Sequence, residues 1–94
     1  MFREITEKEF NRHVKDLEEK IEKKIDLKPV HDAWRCHLKE PLEEEHVKEL
    51  EKKISKFFED QGLRNHVRPE EFFHKEAETG KFKLGFLFRK TTYL

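Results

Sequence analysis

The sequence predicts an α+β fold: two long antiparallel helices and a short helix, followed by a C-terminal antiparallel β-hairpin. In two stretches apolar residues recur every three or four positions, as they do on amphipathic helices. Near the C-terminus apolar and polar residues alternate instead, as on a strand with one buried face. With 94 residues, we expect a single domain over 1–94, with a helical part over 6–62 and a β element over about 71–90.

The first long helix is predicted by its N-terminal signals and by a single apolar stripe. Thr6 and Glu9 have the spacing of a capping box, in which each side chain satisfies a free backbone N–H of the other residue. We expect the helix to run from about Glu7 to Asp26. Its buried stripe consists of Phe10, Val14, Leu17, Ile21 and Ile25.

Two prolines delimit a short second helix and open the third. Pro29 suits the first turn of a helix, and Pro41 ends that element because the residue before a proline disfavours the helical region. The buried side of the short helix would hold Val30, Ala33, Trp34 and Leu38. The third helix begins after Pro41, and Gly62 is placed for a left-handed C-terminal cap. Its apolar stripe is Val47, Leu50, Ile54 and Phe57, with Phe58 beside it.

The C-terminal strand is predicted by the alternation of Phe82, Leu84, Phe86 and Phe88 with other residues. A two-residue turn at Thr79-Gly80 would pair it with the preceding segment, so that Glu76 faces Lys83 and Phe73 faces Phe86. Pro69-Glu70-Glu71 is also a good helix opening. Whether residues 69–78 form a helix or a strand therefore stays open. If they form a helix, the strand must pair with residues 1–5 or with a second copy of the chain.

The charge balance excludes the simplest signature of a protein that binds nucleic acid or an anionic membrane. Lys plus Arg and Asp plus Glu number 21 each, so the formal net charge is zero. The charges are unevenly distributed, because residues 1–61 carry 14 basic and 17 acidic side chains and residues 62–94 carry 7 and 4. The longest apolar run is only Phe86-Leu87-Phe88, which predicts no membrane span.

The cysteine content and the N-terminal sequence favour the cytoplasm. Cys36 is the only cysteine, so no intramolecular disulfide can form, and the N-terminus has no hydrophobic signal region. Glu and Lys are abundant, whereas Gln and Asn are scarce. This balance is typical of proteins from hot environments, and a Glu/Lys-rich helical protein from any source would share it.

The residue pattern predicts no catalytic residue, no metal site and no cofactor. On the predicted short helix, His31, Cys36 and His37 lack the spacing of three or four residues that places ligands on one face. Ser55 is the sole serine and has no glycine-flanked elbow around it. The 3 glycines build no phosphate-binding loop. We therefore expect a protein that is not an enzyme.

The favoured function is regulation or adaptation by stoichiometric binding of a protein partner, with self-association as one form of it. Large aromatic and aliphatic side chains in excess of a small core often mark interfaces. Such a core would leave four interface candidates, each of which could instead be buried: Trp34, Phe72, Leu87 and Tyr93.

The alternative function is binding of RNA or a single strand through the basic, Phe-rich C-terminal element. Aromatic rings on such an element stack on bases while lysines and arginines hold phosphates. An ordinary amphipathic strand with solvated lysines has the same pattern. The candidates for this contact are Arg64, Arg68, Lys81, Lys83, Phe86, Phe88, Arg89 and Lys90.

Overall fold

The computed structural model describes residues 2–76, residues 80–92 and the backbone of residue 93. The fold is α+β, with two α-helices, two short 3₁₀ helices and six strands among these residues. The 3₁₀ helices are Arg64–His66 and Pro69–Glu71. The other elements are, in chain order, β1 (Phe2–Glu4), α1 (Glu7–Ile21), β2 (Ile25–Val30), β3 (Ala33–Leu38), α2 (Glu44–Asp60), β4 (Phe73–Glu76), β5 (Phe82–Arg89) and β6 (Thr91–Tyr93).

The predicted architecture of two long helices and a single C-terminal hairpin is wrong, because strands occur throughout the chain. Four of them form an antiparallel sheet in the order β2-β3-β5-β4. The remaining two, β1 and β6, pair with each other near the chain ends. The first half of the chain therefore contributes half of the large sheet, where the sequence pattern predicted helices alone.

Helix α1 begins where the sequence predicts and ends earlier. The Thr6 hydroxyl oxygen accepts a hydrogen bond from the backbone N–H of Glu9 at 3.2 Å, which confirms the Thr6 half of the capping box. The Glu9 carboxylate accepts a bond from the Thr6 hydroxyl at 3.1 Å, where the prediction had the backbone N–H of Thr6 as donor. The predicted end at Asp26 is wrong, since the helix stops at Ile21 and Glu22 adopts a left-handed conformation with φ 56°. The Glu18 carboxylate then accepts a bond from the backbone N–H of Ile25 at 2.9 Å, at the start of β2.

The predicted short helix after Pro29 is a β-hairpin. Strands β2 and β3 pair through a two-residue turn, His31-Asp32, in which Asp32 has a φ of 55°. Asp tolerates this left-handed region better than most residues, which makes the turn possible without glycine. Pro29 lies on the edge strand of the sheet. A proline is tolerated there because its missing N–H is not needed for pairing with an outer neighbour.

Helix α2 confirms the predicted stripe, since Val47, Leu50, Ile54, Phe57 and Phe58 are all buried. Gly62 follows the helix with a φ of 73°, which confirms the predicted left-handed position.

The predicted antiparallel pairing of residues before Gly80 with the C-terminal strand is confirmed, but the predicted register is wrong. Strand β4 pairs with β5, but Lys75 lies opposite Lys83 and Phe73 opposite Gly85. The predicted pairs were Glu76 with Lys83 and Phe73 with Phe86, which is a shift of one residue. The proposed turn at Thr79-Gly80 includes Thr79, which lies outside the described residues. The helix opening at Pro69 is also present, as a single 3₁₀ turn.

The core lies between the helices and one face of the four-stranded sheet. Trp34 stacks on Phe10 of α1, with ring centres 4.0 Å apart, and Phe88 packs 4.8 Å from the same Phe10 ring. Phe58 of α2 lies 5.7 Å from Phe86 of β5. These contacts join both helices to the two central strands.

His66, in the first 3₁₀ helix, is a buried polar residue beside this core. It is 1% exposed and its ring stacks on Phe88 at 5.2 Å. Its Nδ1–H donates to the carbonyl of Arg89 at 2.6 Å, because a carbonyl can only accept. Its Nε2 then accepts from the Thr92 hydroxyl at 3.4 Å. The neutral ring thus ties the 3₁₀ helix to the ends of β5 and β6.

Among the described helices, none is both long enough and apolar enough to cross a lipid bilayer.

We predict that Gly85→Ala destabilises the fold. A Cβ at this position would lie 2.8 Å from the backbone carbonyl oxygen of Cys36 and would collide with the ring of Phe73. Such overpacking typically lowers the free energy of unfolding by about 1–3 kcal/mol, which urea denaturation measures. The control is Lys52→Ala, an exposed position on α2. Equal loss of stability in both variants would contradict the close packing of Phe73 on Gly85.

We predict that the protein loses stability as the pH falls below about 6.5. Burial lowers the pKa of His66 from its ordinary value of 6.5, although its bond to Arg89 opposes the shift, and burial lowers the pKa of His13 as well. The unfolded chain therefore takes up protons that the folded chain does not. Urea denaturation at about pH 7.5 and about pH 5.5 measures the difference.

The matched variants for this measurement are His66→Gln and His31→Gln. We expect the decrease in unfolding free energy between the two pH values to be smaller in His66→Gln, because the buried imidazole is gone. His31 lies exposed in the β2–β3 turn, and its variant should keep the wild-type decrease. An unchanged decrease in His66→Gln would contradict the assignment.

Candidate functional site on the open face of the sheet

The face of the four-stranded sheet that points away from the helices is the candidate site, and we call it the open face. Successive side chains of a strand point to opposite faces, so the residues that alternate with the core residues lie on the open face. Except for Ala33 and Gly85, all of them are exposed or half-buried. They are Asp26, Lys28, Val30, Ala33, Arg35, His37, Phe73, Lys75, Lys83, Gly85, Leu87 and Arg89.

A shallow apolar depression lies at the centre of the open face. Val30, Leu87 and Phe73 line it, together with Arg35 and Glu71. Leu87 pairs directly with Arg35 across β3 and β5, so an aliphatic side chain and a guanidinium are neighbours. We call the three apolar side chains the apolar centre.

The ring of Phe73 is held between two groups. On its sheet side it covers Gly85, where any side chain would collide with it. On its other side the guanidinium carbon of Arg35 lies 5.0 Å from the ring centre, within the range of a cation–π contact. The face of this ring on which Arg35 lies is therefore already occupied.

The cations of the open face include two like-charged pairs. Lys28 lies opposite Arg35 on β2 and β3, and Lys75 lies opposite Lys83 on β4 and β5. All four side chains are exposed. Like charges directly opposite each other in a sheet are destabilising, which applies to Lys75 and Lys83. The guanidinium of Arg35 lies over Phe73, on the side away from Lys28.

The two carboxylates in this region are already engaged. Asp26 lies 3.4 Å from His37 and 3.6 Å from Lys39. Glu71, mostly buried at the edge of the depression, forms an ion pair with Arg89. Within the described part of the chain no ion pair joins a carboxylate to Lys28, Arg35, Lys75 or Lys83. The open face therefore presents excess positive charge.

The structure separates the four residues suggested for a protein interface. Leu87 lies half-buried in the apolar centre of the open face. Trp34 is 5% exposed and belongs to the core. Phe72 packs against the core, 5.5 Å from Phe86. Tyr93 pairs with Phe2 through its backbone, and its side chain lies outside the described residues.

The aromatic residues suggested for nucleic-acid contact are in the core. Phe86 and Phe88 are 1% and 0% exposed, so no base can stack on them. Their burial follows from the same alternation that predicted the strand, because the buried face of β5 is its aromatic face.

The structure does not bring together the basic residues suggested for that contact. Lys83 and Arg89 lie on the open face. Lys81 lies 3.6 Å from Glu43, and the ammonium of Lys90 lies 4.8 Å from the centre of the Trp34 ring. The other two line a separate cleft with Asn65, Pro69, Glu70 and Thr92, namely Arg64 and Arg68.

Several residues of the open face were missed from the sequence, namely Lys28, Val30, Arg35, Phe73 and Lys75. An available signal was the period of two in Trp34-Arg35-Cys36-His37-Leu38, which places Arg35 and His37 on one face of a strand. Phe73 and Lys75 lie beside Gly85 and Lys83 only in the observed register of β4 against β5. The register predicted from the sequence differed from it by one residue.

The described residues contain no group of three or more histidine, cysteine or acidic side chains arranged to hold a metal ion. The cysteine is also poorly placed for chemistry. Cys36 is 0% exposed, and burial raises the pKa of its thiol far above the ordinary value. A thiol in this state is neither a nucleophile nor a metal ligand at neutral pH.

Comparisons with protein-family models, with curated proteins and with solved structures found no match to this chain.

We predict that Cys36 does not react with Ellman's reagent in the native protein, because its thiol is buried and protonated. In urea the same reagent should titrate one thiol per chain, which serves as the internal control. The measurement is the absorbance of the released thiolate against time. Rapid reaction of the folded protein would contradict the burial of Cys36.

Proposed function

We propose that this protein is a non-enzymatic regulatory or adaptor protein that binds a protein partner in fixed stoichiometry through its open face. The observation that carries the proposal is the apolar centre, which is only half-buried and has exposed cations around it. Aliphatic, aromatic and arginine side chains in one patch are typical of the residues that dominate protein interfaces.

The placement of Leu87 on a central strand supports the same proposal. The core contacts are all on the opposite face of the sheet, and Leu87 takes its position from strands that the core holds in place. Binding through such a preformed surface requires little ordering, which lowers its entropic cost.

A protein partner fits the open face better than a single-stranded nucleic acid. Base stacking needs free ring faces, and Arg35 lies over one face of Phe73 while Phe86 and Phe88 are in the core. The apolar centre instead matches aliphatic side chains of a protein.

The partner that we propose is a different chain. A symmetric dimer through the open face would place two positively charged faces against each other, which is unfavourable. We place the interaction in the cytoplasm, where the single thiol of Cys36 stays reduced.

The proposal that the protein catalyses no reaction rests on the environment of its reactive groups. Asp26 and Glu71 are held in ion pairs, and the thiol of Cys36 is buried. Each arrangement occupies or shields a group that catalysis would need to be accessible.

Affinity capture with a matched pair of leucine variants tests the proposal. Leu87→Ser removes the aliphatic side chain at the apolar centre, and Leu27→Ser changes a leucine that is 36% exposed on the other face of the sheet. We expect wild type and Leu27→Ser to retain the same partner in fixed stoichiometry, and Leu87→Ser to retain it roughly 10-fold more weakly. Circular dichroism confirms that each variant is folded.

Two outcomes would contradict this function. The first is equal retention of the partner by Leu87→Ser and wild type. The second is a captured species that nuclease removes and that absorbs at the wavelength of nucleic acids, which would favour the nucleic-acid alternative.

A further inference from the structure

The like-charged pairs on the open face are arranged around its apolar centre. Arg35 is the direct neighbour of Leu87, and Lys28 extends this row to the edge strand β2. Lys83 precedes Gly85 on the same face of β5, and Phe73 covers that glycine. One cationic pair therefore lies beside Leu87 and the other beside Phe73.

The positions of these cations are not required by the fold. Their side chains are exposed, and the core packs on the opposite face. A pairing of Glu76 with Lys83 would have been complementary in charge, yet the structure places Lys75 opposite Lys83. Local rules of sheet stability are most often broken where a surface serves binding.

We propose that the open face binds an acidic protein segment, in which an apolar side chain enters the depression beside Leu87 and carboxylates on either side of it reach the two cationic pairs. This inference rests on the proposed function, since it identifies the chemistry of the partner. Charge complementarity carries it: two pairs of cations, which form no ion pair with a carboxylate of the described residues, lie beside an apolar patch.

The positions of the cations on the sheet indicate that the bound segment carries acidic side chains on both sides of an apolar one. The backbones of neighbouring strands are about 5 Å apart, so one carboxylate can approach Lys75 and Lys83 together. The guanidinium of Arg35 lies over Phe73, so a second carboxylate would meet it there or meet Lys28 on β2. Leu87 is the neighbour of Arg35, and Phe73 lies two residues from Lys75 on the same strand, so a segment that reaches both pairs passes over these two apolar side chains with carboxylates on either side. A segment that is acidic without being apolar would leave the depression unfilled.

Repulsion between Lys75 and Lys83 can be measured in the free protein as a change in stability. Neutralising one member of a like-charged pair removes repulsion, so Lys83→Gln should raise the urea midpoint by roughly 0.2–0.5 M at low salt. The matched control is Lys52→Gln, an exposed lysine on α2, which should leave the midpoint unchanged. A lower midpoint in Lys83→Gln than in wild type would show that the pair is not repulsive and would overturn the inference.

The binding test uses three labelled probes and fluorescence anisotropy. The first is a synthetic peptide alternating Glu and Leu, the second has Gln in place of every Glu, and the third is a single-stranded oligothymidylate. We expect the Glu peptide to bind at least about 10-fold more tightly than the Gln peptide, with affinity that falls as salt is added.

The protein variants locate this binding on the open face. The double variant Lys28→Gln/Lys83→Gln, which neutralises one cation in each pair, should weaken binding of the Glu peptide by roughly 5-fold to 10-fold. The matched double control, Lys48→Gln/Lys52→Gln on α2, should bind it as wild type does. Equal binding of the Glu and Gln peptides, or tighter binding of the oligothymidylate, would overturn the inference.

Failure of this inference is distinguishable from failure of the proposed function. If capture of a partner depends on Leu87 but the Glu peptide binds no better than the Gln peptide, the partner is not acidic and the proposed function stands. If capture does not depend on Leu87, the proposed function fails whatever the peptides do.

Discussion

The antiparallel pairing of β3 with β5 is the contact on which the rest of the structure depends. It places Trp34 beside Phe88 and Cys36 beside Phe86, so that large apolar side chains form a continuous layer on one face of two central strands. Phe10 of α1 stacks on this layer at Trp34, and Phe58 of α2 packs on it at Phe86. The energy of this arrangement comes from burying aromatic surface, which a chain with so small an apolar fraction must concentrate in one place.

The same pairing creates the surface available for function. Because successive side chains of a strand point to opposite faces, the residues between the core positions of β3 and β5 are directed outward as a group. Arg35 and Leu87 thereby become neighbours although they are far apart in the sequence. The core fixes the strands that carry these side chains, but the side chains themselves are not part of the core. They are therefore available for binding.

The helices and β5 were predictable because each has one dominant period. The stripes of α1 and α2 match the helical repeat, and Phe86 and Phe88 match the repeat of a strand. The segment around Trp34 was not predictable in this way, since its apolar residues fit a short helix and also the alternation of a strand. Its turn, His31-Asp32, lacks the Asn-Gly pair or the glycine that usually indicates a two-residue hairpin turn. Half of the candidate site lies on that hairpin, so its residues were missed with it.

The sequence by itself determined which residues of α1, α2 and β5 face the core, because that property depends only on the local period of apolar side chains. The tertiary structure decided which strands are neighbours and in what register. Phe73 lies over Gly85 because the glycine leaves room for a ring that any larger residue would exclude. That contact between distant residues brings Lys75 opposite Lys83. Register depends on the fit between two strands, and neither strand carries that information alone.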